Sequence, residues 1–443
     1  MPVVTLPLAA TVLLCLMCLA ILIAGVTKLV VVRRGAAHAE KERLRIVAFD
    51  ENILLASDLV PDVSVIAVAP DASEATFRFV RQLVKLYFGR FEVMVVLDGP
   101  SSEDLEAWKR EFHLQPAVRV AAGTIPAKPV RGMYCSTEPI PLFVVDKQAG
   151  SEADGLNAAL NLVTSRMVAM VDWDTEFSSD ALMRLIEPVI DDPQTAVSVG
   201  LALPAPGKSL ASRIYRSECL RNWLGRCAGL AASDAILSAP GAFILFRRDA
   251  LVAAGGFRRT RGGCALEMML HLHKLALDRG QPCRVRLIAD AIARPASPNS
   301  SRELRKRLSR DQMEVAGALR LHRKMMFAAG KVGDWAIPGL FCSRLLLPLL
   351  ETATLILAAV SLGMGWINPL DIALLMYGMV AFGILVSMTM VLLEPAMPEA
   401  ELPARELGGF FLSAVWEHLG YRQLRNLRFI CDFARGWRIR RPE

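Results

Sequence analysis

The stretch MVAMVDWDTEFSSDALMRLI, residues 167–186, passes from five apolar residues to two acids and then to a pattern typical of a helix. Asp172 and Asp174 stand directly after the apolar run, with one residue between them. A short apolar run that ends in polar residues is typical of a buried strand. The stretch therefore predicts a strand whose exit carries two carboxylates. The alternative is that Asp174 or Ser179 only caps the following helix.

Strands and helices alternate in this way over residues 63–295. Apolar runs of strand length at 63–69 and 91–98 are joined by a helical stretch at 74–88. Runs that are apolar on both faces are typical of a mostly parallel sheet covered by helices on both sides, which is the α/β class. Ligands of such open sheets bind beyond the carboxyl ends of the strands. The residues at these ends are Asp98, Lys147, Asp172 and Asp174.

Three apolar stretches, residues 6–27, 345–366 and 372–393, are long enough to cross a bilayer. They explain a hydrophobic content of 53% and a mean hydropathy of +0.37, which are high for a soluble protein. We interpret the first stretch as a retained anchor, because no basic residue precedes it and it exceeds the apolar core of a signal peptide. The basic residues after it place the following domain in the cytoplasm by the positive-inside tendency.

These stretches predict a multi-pass protein of the inner (plasma) membrane. The basic run SRELRKRLSR, residues 301–310, favours contact with anionic headgroups, and a solvated helix face is the alternative. After the last stretch we expect an amphipathic hairpin at the interface, with a fourth span as the alternative. The expected parts are an anchor at 1–34, the α/β domain at 60–298, a basic amphipathic interface segment at 299–340, a transmembrane hairpin at 341–394 and a membrane-interface or membrane region at 395–443.

The composition argues against several other classes of protein. The net charge of +7, from 51 basic and 44 acidic residues, is too small and too dispersed to predict a nucleic-acid partner. The nine cysteines lack metal-ligand spacing, so they predict neither a zinc site nor a disulfide scaffold. Three spans around an α/β domain would make a poor pore, which argues against a transporter.

Five segments carry motifs that occur together in one order. They are VAPDASEAT (68–76), VVLDGPSSED (95–104), KQAGSEADGLNAAL (147–160), VDWDTEFSSDAL (171–182) and PGAFILFRRDALVAAGGF (240–257). In this order they resemble the membrane-embedded family-2 glycosyltransferases, which include the cellulose, chitin, hyaluronan and poly-N-acetylglucosamine synthases. The resemblance covers nearly the whole chain, and such a set is more specific than one short motif. Ser73, Leu97 and Glu152 replace the family's usual asparagine, aspartate and lysine.

The resemblance implies a GT-A fold and a nucleotide-activated sugar, most often UDP-linked, as the donor. It implies that Asp174 ligates a Mg²⁺ or Mn²⁺ ion and that Asp172 approaches both this ion and the nucleotide ribose. Hard oxygen ligands suit these ions. Residues two apart on a strand point the same way, so both acids can face one metal–diphosphate pair. The residues implied on the nucleotide side are Glu74, Asp98, Lys147, Asp154 and Asp172.

The family's general base is the aspartate of a glutamate–aspartate pair, which removes the proton of the acceptor hydroxyl. One alignment of TRGGCALEMMLHLHKLALDRG, residues 260–280, places the pair on Cys264 and Ala265. The other places it on Glu267 and Met268, so neither keeps the base. Glu267 is the candidate substitute. The alternative is that Glu267 caps a helix or faces water.

The family's glutamine–x–x–arginine–tryptophan element, which holds the acceptor and the diphosphate near the membrane, is also altered. Its counterpart RDQMEVAG, residues 310–317, carries Met313 and Glu314 in place of the arginine and the tryptophan. The change removes a fork-shaped cation for phosphate and a stacking platform for sugar. Arg307 or Arg310 is expected to replace part of the charge, and nothing in the sequence supplies the platform.

Two hypotheses for function follow. The first is a membrane-bound inverting glycosyltransferase that uses a nucleotide sugar and a divalent metal to glycosylate a lipid or glycan acceptor in polysaccharide or glycolipid synthesis. The second is a catalytically impaired pseudo-glycosyltransferase that acts as a binding or scaffold subunit of a polysaccharide-synthesis complex. The retained acids favour the first, and the altered base and acceptor motifs favour the second. The expected partners are the donor, the acceptor, the lipid bilayer and other polysaccharide-synthesis proteins.

Overall fold

The structure, a computed structural model, combines a ten-stranded sheet with helices on both faces and with three long apolar helices. The described residues are 2–46, 60–86, 88–121, 123–231, 233–237, 243–260, 262–328, 330–393 and 404–438. Residues 240–242 of the fifth motif lie outside this description, as do residues 395–403 and 439–443 of the predicted C-terminal region.

Ten strands form the sheet. They are β1 (Val63–Ala69), β2 (Phe91–Asp98), β3 (Leu114–Pro116), β4 (Val130–Ser136), β5 (Leu142–Lys147), β6 (Met167–Val171), β7 (Thr175–Phe177), β8 (Thr195–Ala202), β9 (Phe243–Arg247) and β10 (Arg284–Pro295). Their order across the sheet is β3-β4-β5-β2-β1-β6-β9-β8-β10-β7.

The centre of the sheet is parallel. Strands β5, β2, β1 and β6 pair in parallel, so their carboxyl ends meet at one edge. These strands are largely buried, as their apolar and β-branched composition predicts. Strand β9 runs antiparallel between β6 and β8, and antiparallel pairs close both margins of the sheet. The predicted α/β class is confirmed.

Thirteen α-helices of six residues or more are labelled here along the described chain. They are α1 (Pro2–Ile46), α2 (Glu74–Leu83), α3 (Ser102–Glu111), α4 (Glu152–Leu162), α5 (Ala181–Asp191), α6 (Leu210–Asn222), α7 (Arg248–Ala253), α8 (Ala265–Asp278), α9 (Ser301–Leu321), α10 (Leu347–Gly363), α11 (Pro369–Leu392), α12 (Ala404–Trp416) and α13 (Arg422–Arg438). Short helices and turns connect some of them, at Trp223–Ala228, Gly229–Ala231, Arg323–Met325, Val332–Ala336, Ile337–Phe341, Cys342–Leu346 and Glu417–Tyr421.

Alternate residues of β2 are buried on opposite faces of the sheet, as strand geometry requires. Met94 and Val96 join the core that includes α4. Val93 and Val95 join the core that includes α2, α3 and α5, where Trp108 is almost fully buried. Both faces of the sheet are therefore covered by helices, which leaves its carboxyl edge as the open side of the parallel centre.

Three helical segments are long and apolar enough to cross a membrane, namely Pro7–Lys41, Val332–Gly363 and Pro369–Leu392. The first belongs to α1, which continues beyond its apolar part into the α/β domain. Val32 and Ala36 of α1 are buried in the core that also contains α4 and residues of α6. The N-terminal helix is therefore packed onto the domain and is longer than the anchor predicted at 1–34.

Gly35 allows α1 to approach the domain closely. A Cβ atom at this position would lie 2.5 Å from the Gly229 nitrogen and 2.8 Å from the Leu224 carbonyl oxygen. Overpacking costs about 1–3 kcal/mol, which should outweigh the roughly 1 kcal/mol that alanine gains over glycine in a helix. We expect Gly35→Ala to lower the midpoint of thermal unfolding in detergent. Gly378→Ala is the matched control, because nothing lies within 4 Å of a Cβ atom there.

The C-terminal helices pack on the rest of the described chain. Helix α12 contacts α6 and α11, and α13 contacts α9 and α10. Glu351, the acid inside the second apolar stretch, accepts hydrogen bonds on Oε2 from Arg422 Nε at 3.0 Å and from Asn426 Nδ2 at 2.8 Å. This pairing gives the acid a partner within an apolar segment. The interfacial hairpin predicted for this region stays a prediction.

Candidate active site

The carboxyl ends of β2, β5 and β6 meet at one edge of the sheet. Asp98 ends β2 and pairs in register with Lys147, the last residue of β5. Asp172 directly follows β6, and Asp174 directly precedes β7. Strand β7 pairs with the end of β10, and the Asp174 carbonyl accepts a hydrogen bond from the backbone N–H of Ala296 at 2.8 Å. This pairing fixes the loop that carries the two acids.

Lys147 joins two of the acids that were predicted on the nucleotide side. Its side chain is fully buried, and Nζ lies 2.5 Å from Asp98 Oδ1 and 2.5 Å from Asp154 Oδ2. The backbone N–H of Gly150 donates to Asp98 at 2.9 Å, and that of Lys128 donates to Asp154 at 2.9 Å. The two carboxylates compensate the buried ammonium. Together these groups form a rigid polar floor beside the strand ends.

Glu74 lies apart from this polar floor. It opens α2, is exposed, and pairs with Arg81 at 2.9 Å. Ser73, which replaces the family's asparagine, caps the helix by accepting the N–H of Thr76. Asp71, which follows β1, is held by local hydrogen bonds. It accepts the Thr76 hydroxyl at 2.7 Å and the Ser73 N–H at 3.1 Å. Side-chain hydrogen bonds from Ser73 and Thr76 hold the pKa of Asp71 below its ordinary value.

Asp172 and Asp174 share the edge with Glu152, the first residue of α4. Partial desolvation and the charge of Asp172 raise the pKa of Asp174. The same two causes raise the pKa of Glu152. Neighbouring like charges disfavour each other's ionised form. These three residues, which we call the acidic cluster, therefore concentrate negative charge where β6 ends.

Two arginines of α9 face the acidic cluster. Arg307 Nη2 lies 3.0 Å from Asp174 Oδ2, and Arg310 Nη2 lies 3.8 Å from Glu152 Oε2. Although burial opposes the shift, the charges of Asp172 and Glu152 raise the pKa of Arg310. Both arginines that were expected to replace the missing cation of the family therefore reach the site. The basic segment predicted to contact headgroups turns at least these two charges toward the domain.

The acidic cluster fits a divalent cation by its chemistry. Carboxylate oxygens are the ligands that Mg²⁺ and Mn²⁺ prefer, and crowded carboxylates are stabilised by the charge of a bound ion. The ion pair between Arg307 and Asp174 already supplies one positive charge there. A cation held by Asp174 must therefore share this carboxylate with the guanidinium or displace it.

Glu267, the candidate substitute for the base, is fully enclosed. It lies in the first turn of α8 with no exposed surface, and its Oε1 accepts a hydrogen bond from His322 Nε2 at 3.0 Å. The alternative in which Glu267 faces water is therefore wrong. Its catalytic role stays a prediction, and its burial separates the carboxylate from the open edge where ligands of such sheets bind.

Glu314 is a candidate that the sequence did not reveal. It lies on α9 where the family has tryptophan, and its Oε1 accepts the backbone N–H of Leu266 at 3.1 Å, at the start of α8. A Cβ atom on Gly263 would lie 3.0 Å from the Glu314 carboxyl, so the glycine gives this contact room. Burial, with a further contribution from Asp311, raises the pKa of Glu314 to about 7.

Cys264 shows how near the Glu314 carboxyl lies to the position of the missing base, because one alignment places the family's pair at this cysteine. Its thiol is buried, and burial followed by the charges of Glu152, Glu314 and Asp172 raises its pKa. Helix α9 thus brings a carboxyl group to the start of α8, where Cys264 and Ala265 carry none. Only the tertiary contact reveals this arrangement, because 48 positions separate Glu314 from Leu266.

Comparison with known proteins gives the class of fold. No family model matches the chain, and no curated protein matches it. The parallel centre of the sheet, the antiparallel strand beside β6 and the helices on both faces define a glycosyltransferase fold of the GT-A type. The chain is similar in structure to the mannosyltransferase PcManGT from Pyrobaculum calidifontis in complex with GDP-Man and Mn²⁺. The identity is 15%, the TM-score is 0.54, and the match covers 90% of this chain and 99% of that chain.

Two further solved structures match with lower scores. S. aureus TarS 1–349 in complex with UDP-GlcNAc has 11% identity and a TM-score of 0.39, over 82% of this chain and 92% of that chain. Glucosyl-3-phosphoglycerate synthase from Mycobacterium tuberculosis, in complex with Mn²⁺, UDP and phosphoglyceric acid, has 13% identity and a TM-score of 0.36, over 59% and 81%. The assignment of the fold rests on the mannosyltransferase.

Proposed function

We propose that the chain is a membrane-bound, inverting glycosyltransferase of the family-2 membrane synthase kind. It takes a sugar from a nucleotide donor, with UDP as the expected nucleotide, and transfers it to a lipid or glycan acceptor with the help of Mg²⁺ or Mn²⁺. The observation that carries the proposal is the acidic cluster at the open edge of the sheet, faced by Arg307 and Arg310. The three apolar helices support a membrane protein. A multi-pass arrangement in the inner membrane and a cytoplasmic α/β domain are part of the proposal, and the basic residues after the first apolar stretch support this orientation.

On the donor side, Asp98 and Asp154, fixed by Lys147, contact the nucleotide. Asp172 contacts the ribose and, with Asp174, holds the cation. When bound, the ion supplies positive charge to the diphosphate as it leaves. The support for these roles is the placement of all five side chains around the carboxyl ends of β2, β5 and β6.

The arginines of α9 assist at the diphosphate. A guanidinium binds phosphate oxygens through two N–H groups at once. Arg307 already lies beside Asp174, and Arg310 lies beside Glu152 of the acidic cluster. They take the role of the arginine that the family's acceptor motif has and this chain lacks. Glu74 contacts the nucleotide only if it exchanges its present partner Arg81 for the ligand.

We assign the role of general base to Glu314. In an inverting displacement, the acceptor hydroxyl attacks the anomeric carbon, the bond to the nucleotide diphosphate breaks, and a base takes the hydroxyl proton. Glu314 is partly exposed, and one of its oxygens is anchored on the Leu266 N–H at the start of α8. A carboxyl with a pKa of about 7 is well matched to proton transfer at neutral pH.

The alternative is a pseudo-glycosyltransferase that binds a nucleotide sugar or supports a polysaccharide-synthesis complex. The observation that favours it is the ion pair between Arg307 and Asp174, which engages the acid that would ligate the cation. In this case the chain binds a donor weakly or not at all and releases no nucleotide.

Titration of nucleotide sugars tests the proposal. The full chain in detergent is titrated with UDP-glucose, UDP-N-acetylglucosamine and GDP-mannose, with and without Mn²⁺, and nucleotide release is followed over time. We expect Mn²⁺ to tighten the binding of at least one donor by about tenfold, or about 1.4 kcal/mol, and to permit release. Binding without release would favour the pseudo-glycosyltransferase. Absence of both binding and release would contradict the proposal.

A further inference from the structure

Glu267, His271 and His322 form a second polar cluster, which we call the histidine cluster. One ligand atom of each residue lies within 4.8 Å of the corresponding atoms of the other two. Glu267 and His271 lie four residues apart on α8 and so project from the same face of the helix. His322 is the C-cap residue of α9. The cluster therefore joins the beginning of one helix to the end of the other.

Two polar side-chain atoms of the histidine cluster are buried without hydrogen-bond partners in the described part of the chain. They are Glu267 Oε2 and His271 Nδ1. Glu267 Oε1 is already bonded to His322, so the unpaired oxygen belongs to a carboxylate with no exposed surface. Buried polar atoms without partners are disfavoured and rare in native proteins. The unpaired oxygen and nitrogen therefore indicate a ligand that accepts electron pairs from both atoms.

The hydrogen bonding of His271 prepares Nδ1 for such a ligand. Its Nε2 lies 3.1 Å from the Ala254 carbonyl oxygen, which can only accept, and 3.2 Å from Arg258 Nη2, which can only donate. The hydrogen bond to Ala254 requires the tautomer with the proton on Nε2. Nδ1 is then the ring nitrogen with a free lone pair. A metal-bound histidine usually donates its other ring N–H to a backbone carbonyl or a carboxylate, which fixes both the tautomer and the ring orientation. In the tautomer with the proton on Nε2, His271 has this arrangement.

Arg258 is the competing partner of the histidine cluster. Its Nη1 lies 3.9 Å from Glu267 Oε1, beyond hydrogen-bond distance, and its Nη2 lies 3.2 Å from His271 Nε2. The guanidinium therefore bonds neither of the two unpaired acceptors. Its side chain is 51% exposed, so it can turn into solvent when another cation enters. It supplies positive charge near the cluster without satisfying the buried lone pairs.

We propose that the histidine cluster binds one first-row transition-metal ion of the Zn²⁺ type. Two imidazole nitrogens and one carboxylate oxygen suit Zn²⁺, whereas Mg²⁺ and Mn²⁺ favour sets of oxygens such as the acidic cluster. Zinc–ligand distances of about 2.0–2.2 Å require the three side chains to close around the ion. Three protein ligands would leave the fourth position of a tetrahedral ion to water. The ion ties α8 to α9 and so stabilises the placement of Glu314 against the start of α8.

The test measures zinc on the full chain in detergent, after removal of metals with a chelator. Zinc is titrated, excess ion is removed, and the bound amount is determined by elemental analysis; Co²⁺ replaces Zn²⁺ in a parallel sample for visible absorption. We expect one tightly bound zinc per wild-type chain. His271→Gln and His322→Gln should each weaken binding by more than about 100-fold, because loss of an outer-sphere partner alone costs about 10- to 100-fold.

Two control variants complete the zinc experiment. His273→Gln should retain zinc, because His273 is a buried histidine of the same helix that bonds the Ile236 carbonyl outside the cluster. Asp174→Asn should also retain it, which separates this ion from that of the acidic cluster. Zinc should raise the unfolding temperature of the wild type but not that of His271→Gln. This comparison tests the site even if His322→Gln does not fold. Absence of stoichiometric zinc in the wild type, or full retention in His271→Gln, would overturn the proposal. Neither result depends on a sugar donor.

Discussion

Asp174→Asn is expected to lower metal-dependent nucleotide release from a sugar donor by about 100- to 1,000-fold, the range observed when one preorganised electrostatic contact is removed. Asparagine keeps the size of the side chain but not the charge that holds the cation. The change also removes one of the two ion partners of Arg307, whose Nη2 lies 3.0 Å from Asp174 Oδ2 and 3.0 Å from Glu303 Oε1 in the wild type. The measurement is the rate of release at a series of Mn²⁺ concentrations.

Asp180→Asn is the matched control for this variant. Asp180 is also paired with an arginine, with Arg184 Nε at 2.6 Å, but this pair lies along α5 and involves no residue of the acidic cluster. We expect Asp180→Asn to retain the wild-type rate, because Asp180 is outside the acidic cluster and a partly exposed i,i+4 ion pair contributes little to stability. An unchanged rate with unchanged Mn²⁺ dependence in Asp174→Asn would contradict the placement of the cation.

The sequence predicted the parallel centre of the sheet well. The strands expected at 63–69 and 91–98 have these bounds in the structure, because buried parallel strands need continuous apolar and β-branched runs that few other elements tolerate. The helix expected over 74–88 ends earlier, at Leu83. Leu86 and Phe88 are buried outside the helix, so tertiary burial, which local periodicity does not report, decided where the helix ends.

Residues that follow strands were predictable as neighbours, since parallel strands bring their ends together. Asp98 and Lys147 lie side by side for this reason. Contacts between distant helices were not predictable. Glu267 pairs with His322 across 55 positions, and Glu314 contacts Leu266 across 48. The sequence therefore showed only that a glutamate stands where a tryptophan was expected, whereas the fold brings its carboxyl group to the start of α8, next to Leu266.

Glu314→Gln is expected to lower turnover at neutral pH by about 100- to 10,000-fold, the usual contribution of general acid–base catalysis. Glutamine retains an oxygen that can accept the Leu266 N–H, which Glu314 bonds at 3.1 Å, so the start of α8 keeps its partner. The variant therefore removes the ionisable group while preserving the local fold. Glu314→Asp keeps the group on a shorter side chain and should have an intermediate rate.

The pH dependence of the rate separates a base from a structural residue. A base must be ionised to accept a proton, so the wild-type rate should fall as the pH drops below about 7, the pKa that burial gives Glu314. Asp311 raises this pKa further, whereas Arg226 and Arg310 lower it. We expect the residual rate of Glu314→Gln to lose this dependence, measured as kcat at saturating donor from pH 5 to 9.

Glu267→Gln distinguishes the two candidate bases. This variant loses the carboxylate that bonds His322. Its rate and its zinc content should fall because the packing of α8 on α9 is weakened. Its pH profile should nevertheless keep the wild-type decline at acid pH, because Glu314 is unchanged. If the decline instead persists in Glu314→Gln and disappears in Glu267→Gln, the base is Glu267, and the contact of Glu314 with Leu266 serves only to hold the two helices together.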